Sequence, residues 1–254
     1  MNYKLFLPII LLCFSFSANA AERWFEVEVL LFQRDISFEK TGERLSDDFL
    51  TLDTANSTEI LKVNAAGQTN PVVIGAQQFV QNANNFILLD SSHLQLSAQR
   101  KSLAAHAGFK PILHMAWRMP VKSNNSAKPI HLFGGENLEA GPQSENKWAV
   151  DGNFKIYLDH YLYIDSQFII RQKTVQEKIK PQIAPVQNSN ILESENGVEI
   201  IDLNRDANRV ENNQEIVIKE ALFDQRRRLR SEEIHYLDHP LMGVIVQIRK
   251  IEGK

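Results

Sequence analysis

A period-two alternation of apolar and polar residues recurs along this chain and constrains its fold more than any other feature. In residues 24–33, Phe25, Val27, Val29 and Leu31 fall on one face of an extended strand, with Glu26 and Glu28 on the other. Residues 109–119 repeat the pattern: Leu113, Met115, Trp117 and Met119 share one face and His114, Ala116 and Arg118 the opposite one, with Pro120 as the stop. In residues 154–170, Phe154, Ile156, Leu158, Leu162 and Ile164 alternate with Lys155, Tyr157, Asp159, Tyr161 and Tyr163. That length, with Asp165-Ser166, predicts a bend or a hairpin, and His160 on the oily face reads as a core histidine. Further strands are expected from residue 216 to 229 and from 244 to 248.

Alternation of this kind belongs to antiparallel sheets with one face covered, not to parallel sheets buried on both sides. The cover is expected over residues 90–107, where Leu89, Leu96 and Leu103 recur at helical spacing, Ser91 or Ser92 can cap the start and Gly108 marks the end. Residues 35–77 and 122–146 read as long loops, and residues 231–238 as a helical turn. Residues 173–214, rich in Gln, Asn, Glu and Lys, read as a flexible insertion. The expected fold is α+β: a mainly antiparallel sheet with one principal helix on a face, and long loops.

The N-terminus reads as a secretory signal. Lys4 precedes an apolar run from Leu5 to Phe14, and Ala18-Asn19-Ala20 fits a cleavage site. The run falls short of the about 20 apolar residues that a spanning helix needs. Cys13, the one cysteine, stands between Leu12 and Phe14, which excludes a lipoprotein signal and with it a lipid anchor. The expected organisation is therefore a signal peptide at 1–20 and one domain at 21–254, periplasmic, with no disulfide or thiol chemistry. The formal net charge of −3 argues against nucleic acid as a partner.

Three stretches together resemble a known family. They are residues 109–120 (FKPILHMAWRMP), residues 226–246 (RRRLRSEEIHYLDHPLMGVIV) and the opening Trp24-Phe25-Glu26-Val27-Glu28-Val29. They are similar to the CsiV family of periplasmic peptidoglycan-binding proteins, named for cell shape integrity. Residues 152–163 fit the family's middle strand, although His160-Tyr161-Leu162-Tyr163 stands where the family tends to have Arg-Tyr-Leu-His. The resemblance implies a non-enzymatic peptidoglycan-binding protein that supports cell-wall synthesis and cell shape. It also implies a protein partner, a lipoprotein activator of a bifunctional murein synthase. The competing readings are an interaction adaptor without direct wall contact and a wall hydrolase.

Candidate ligand-binding residues follow from side-chain chemistry. Arg226, Arg228 and Arg230 share one face of a strand, and guanidinium forks match the carboxylates of wall peptides. The same row also reads as a solvated face paired with acids such as Glu232 and Glu233. Tyr157, Tyr161 and Tyr163 can offer flat faces to sugar rings, and Tyr236 completes the set. Trp24, Trp117 and Trp148 have the same capacity, but Trp117 shares its face with Leu113 and Met115 and reads as core. On a helix, His235, Asp238 and His239 would share a face and could hold zinc, yet the Asp-His-Pro ending reads as a structural turn. No metal, cofactor or catalytic residue is expected: there is no Gly-x-Ser-x-Gly elbow, and nothing singles out a carboxylate pair.

Overall fold

A computed structural model describes residues 23–42, 50–63, 71–81, 83, 85–139, 146–177 and 214–251. The expected signal peptide and residues 178–213 of the expected insertion lie outside the described residues, while residues 173–177 and 214 belong to strands.

The fold is α+β, dominated by antiparallel sheet with one principal helix and long loops. In chain order the elements are β1 (Arg23–Arg34), α1 (Phe38–Thr41), β2 (Thr58–Glu59), β3 (Ile87–Leu88), a 3₁₀ turn (Ser91–His93), α2 (Ser97–Ala105), β4 (Phe109–Val121), β5 (Ile130–Asn137), β6 (Trp148–Leu158), β7 (Leu162–Glu177), β8 (Gln214–Leu229), β9 (Ile234–His239) and β10 (Met242–Lys250). They form two five-stranded sheets, ordered β3-β4-β1-β10-β9 and β2-β5-β6-β7-β8. Every described pairing between strands is antiparallel except that of β2 with β5.

The apolar faces of both sheets meet in one core. Val27, Val29, Leu113, Met115, Trp117, Val244 and Val246 come from the first sheet, and Ile130, Val150, Phe154, Ile164, Phe168 and Phe223 from the second. Trp117 is fully buried, as its face predicts, and Trp148 lies 2% exposed with its ring stacked on Phe133. Gly152 sits where the sheet leaves no room for a side chain. A Cβ there would lie 2.1 Å from the Gln167 carbonyl oxygen and 2.5 Å from the Phe168 ring.

The polar face of the first sheet is also covered, because α2 packs across it. Glu28, fully buried on β1, accepts the backbone N–H groups of Gln95 and Leu96 at 3.0 and 2.8 Å. A carboxylate delivered from another element thus serves the start of a helix that has no side-chain cap of its own. His114 and Arg249 bond the same carboxylate at 2.9 and 2.8 Å. Burial works to raise the Glu28 pKa, but these donors together hold it below the ordinary glutamate range.

Several local expectations are corrected. The α-helix spans Ser97–Ala105 only, because Asp90 caps a separate 3₁₀ turn by accepting the Ser92 N–H at 2.9 Å. Residues 122–146 are not all loop: β5 runs through them, with a register break between Gly134 and Asn137 that blurs its alternation. Pro120 lies inside β4 and does not stop it. The hairpin turns at residues 159–161, not at Asp165-Ser166, and His160 is an exposed turn residue, not a core one. The stretch read as a helical turn contains strand β9, paired with β10.

Candidate functional site

The outward face of the second sheet carries most of the polar residues singled out by sequence. Register arranges this face in three rows across β6, β7 and β8. The rows are Asn153–Gln167–Asp224, Lys155–Asp165–Arg226 and Tyr157–Tyr163–Arg228. Side chains in one row stand within reach of one another, since neighbouring strands lie about 4.8 Å apart.

The last row and the adjoining turn gather the aromatic and basic candidates. The Tyr157 and Tyr163 rings stack with centroids 5.3 Å apart and planes 12° from parallel. Tyr157 is the buried member, 3% exposed, and supports its half-buried partner. Burial and the neighbouring Asp165 charge raise its pKa above the ordinary tyrosine value. Tyr161, in the hairpin turn, is 53% exposed, and the Arg228 guanidinium lies 4.6 Å over its ring. That is cation–π geometry. Arg228 is exposed and, among the described residues, forms no ion pair.

Arg226 behaves differently. It grips Asp165 through two parallel bonds, Nε to Oδ1 at 2.7 Å and Nη2 to Oδ2 at 2.9 Å. The hydrogen bonds and charge of Asp165 raise its pKa further. Lys155 donates to Asn124 Oδ1 at 2.8 Å, and Gln167 donates to Asp224 at 2.9 Å. With Pro129 and Asn153 these residues line a groove of about 410 Å³. Arg230 lies one residue past the end of β8 at the same corner, 3.6 Å from Glu233.

Tyr236 is not part of this surface. It lies on β9 in the first sheet, stacked on Phe32, where Arg34 donates to its hydroxyl at 2.7 Å and the hydroxyl donates to Asp238. Asp238 also pairs with Arg34. Burial, then the bond to Asp238, raises the Tyr236 pKa. The strand also separates the imagined zinc ligands. His235 and His239 are four residues apart, about 13 Å along a strand, with Asp238 on the opposite face. Among the described residues no group of three or more His, Cys, Asp or Glu side chains is placed to hold a metal ion.

The other half of the same sheet face is closed by residues 50–59, which cross it as a strap. Leu50 N–H donates to Glu220 Oε2 at 2.8 Å, Asn153 donates to the Asp53 carbonyl at 2.8 Å, and Ser57 donates to Asn153 Oδ1 at 2.6 Å. Alongside it a chain of charges crosses all five strands of the sheet. Glu59 meets His131 Nδ1 at 2.8 Å, His131 Nε2 meets Asp151 at 2.6 Å, Asp151 lies 3.6 Å from Arg171, and Arg171 bonds Glu220 at 2.6 Å. A neutral imidazole has one N–H, so carboxylates at both ring nitrogens require the charged form. Burial opposes that charge, but Asp151 and then Glu59 outweigh it and raise the His131 pKa.

Comparison with known proteins identifies the chain. Residues 4–251 match the family model described as peptidoglycan-binding protein, CsiV. The chain belongs to the CsiV family. No curated protein and no solved structure matches it. Membership supports a peptidoglycan-associated periplasmic protein. Among the described residues no helix is long and apolar enough to cross a membrane.

The groove residues Asn153, Lys155, Asp165, Gln167 and Asp224 were not singled out by sequence, although they stand in the same alternating strands as the tyrosines and arginines. Reading which residue faces which required the register, and the hairpin turn that sets it centres on His160, ahead of the Asp165-Ser166 pair that suggested one.

Proposed function

We propose that this protein binds peptidoglycan in the periplasm without cleaving it, through the open half of the second sheet's outer face. The observation that carries the reading is the Arg228–Tyr161 pair beside Tyr163, an outward guanidinium and an exposed ring on one surface of a CsiV-family chain. Aromatic faces suit the apolar faces of sugar rings, and guanidinium forks suit the carboxylates of stem peptides. Arg226 contributes its remaining donors from the Asp165 pair, Arg230 borders the surface, and Tyr157 supports Tyr163 from beneath. Tyr236 is assigned no part in this contact.

The role in wall synthesis and cell shape, and the contact with a lipoprotein activator of a murein synthase, belong to this proposal as expectations from the family resemblance. Purified protein should cosediment with isolated sacculi with no other protein present, and should release no muropeptides from them. Cosedimentation only after a protein partner is added would favour the adaptor reading. Muropeptide release would favour a hydrolase.

A further inference from the structure

We infer that the groove beside the tyrosine row takes a zwitterionic group: a carbon bearing both a free ammonium and a free carboxylate, as at the uncross-linked end of a stem peptide built on a diamino acid. This rests on the proposed wall-binding reading and assigns the groove a ligand of its own. Three observations point to it.

The first is the lining. Two cations (Lys155, Arg226), two carboxylates (Asp165, Asp224) and two amides (Asn153, Gln167) surround the groove, with Pro129 as the one apolar member. A site for a simple anion gathers positive charge, and a sugar platform presents an aromatic face. This groove balances its charges and contains no aromatic side chain, which fits a ligand carrying both signs.

The second is the arrangement. Lys155, Asp165 and Arg226 stand in one row across three strands, so the sign alternates from strand to strand, and Asp224 lies two residues from Arg226 along β8. A ligand ammonium fits between Asp224 and Asp165, and its carboxylate fits against Arg226 and Lys155.

The third is unused bonding capacity. Arg226 spends Nε and one Nη2 proton on Asp165, which leaves three N–H donors. Among the described residues Lys155 gives one donor to Asn124 and keeps two, and Asp224 accepts from Gln167 through Oδ2 while Oδ1 stays available. The internal bonds orient these groups before a ligand arrives, which lowers the ordering cost of binding. The neighbouring Tyr161–Arg228 surface can hold the glycan or the near end of the peptide while the groove holds the far end.

The test uses the full mature chain and three soluble probes: a disaccharide carrying a diamino-acid stem with its distal carbon free, the same compound acetylated on the distal amine, and the same compound amidated on the distal carboxylate. The free compound should bind at least about tenfold more tightly than either blocked one, the difference expected for one charged hydrogen bond. Asp224→Asn removes charge with little change of shape, and should erase discrimination against the acetylated amine without shifting the melting temperature. Equal binding of all three probes, with sacculi still bound, overturns the groove assignment and leaves the wall-binding reading intact. Failure to bind sacculi at all overturns both.

Discussion

Replacing His131 by Gln should remove a pH-dependent clasp on the strap that borders the groove. His131 is 16% exposed and joins Glu59 of the strap to Asp151 of β6. The Asp151 arm, with both side chains mostly buried, is a charged hydrogen bond of about 1.5–3 kcal/mol. The Glu59 arm adds little, since Glu59 is 52% exposed and screened by solvent. The folded-state pKa is raised above the ordinary value of about 6.5. The stabilisation is therefore fully present below about pH 6.5 and is lost as pH rises through the folded-state value. In that window the wild type should lose up to about 1.4 kcal/mol per pH unit relative to His131→Gln, or about 3–5 °C of Tm for a chain of this size. Thermal melts of both proteins from about pH 5.5 to about pH 9 measure the difference. Curves that stay parallel across the range would show that the folded state recruits no proton at His131, and the argument for the clasp would fail.

Other substitutions probe the remaining framework. Glu28→Gln leaves Arg249 buried against a weaker acceptor and loosens the start of α2, so it should cost about 3–5 kcal/mol in denaturant melts and speed amide exchange at Leu96. Because the Glu28 pKa is lowered, its contribution is present above about pH 4.5 and lost as pH falls through the folded-state value, so wild type and variant should converge in acid. Gly152→Ala should destabilise by about 3 kcal/mol or more, since the new Cβ meets the Gln167 carbonyl oxygen and the Phe168 backbone rather than a movable side-chain end. A variant melting within about 1 °C of wild type would contradict that packing.

Much of the frame was legible in the sequence because burial imposes a period on it. Phe25, Val27, Val29 and Leu31 announced β1, and Leu113, Met115 and Trp117 announced β4. The tyrosine and arginine rows were legible as rows because each occupies alternate positions of a strand. What sequence could not supply was whatever depends on partners distant in the chain. Glu26 and Glu28 share the polar face of β1, yet α2 covers it and Glu28 is fully buried among His114, Arg249 and the helix start. β5 escaped notice because His131, Gly134, Gly135 and Glu136 interrupt its apolar positions, and the backbone at Gly135 adopts a positive φ of 84°. Residues 231–238 read as a helical turn, whereas pairing with β10 makes residues 234–239 a strand. Tyr236 looked like a fourth ligand tyrosine until the pairing of β9 placed it in the other sheet. His131, central to the strap, carried no local signal, since its carboxylate partners lie 72 and 20 residues away.

The central claim is that the Tyr161–Arg228 surface holds the wall. Its most direct measurement is quantitative cosedimentation of purified protein with sacculi, comparing wild type with Arg228→Ala and Tyr161→Ala at low and high salt. Both positions are exposed, so unchanged melting temperatures should confirm that each variant folds. An exposed charge contact contributes about 0.2–1 kcal/mol and one sheltered by a ligand about 1.5–3 kcal/mol. Arg228→Ala should therefore weaken binding between a few-fold and about a hundredfold, and should respond less to salt than the wild type does. If both folded variants bind sacculi as tightly as the wild type, with the same salt response, the surface is only a solvated face and the wall is held elsewhere.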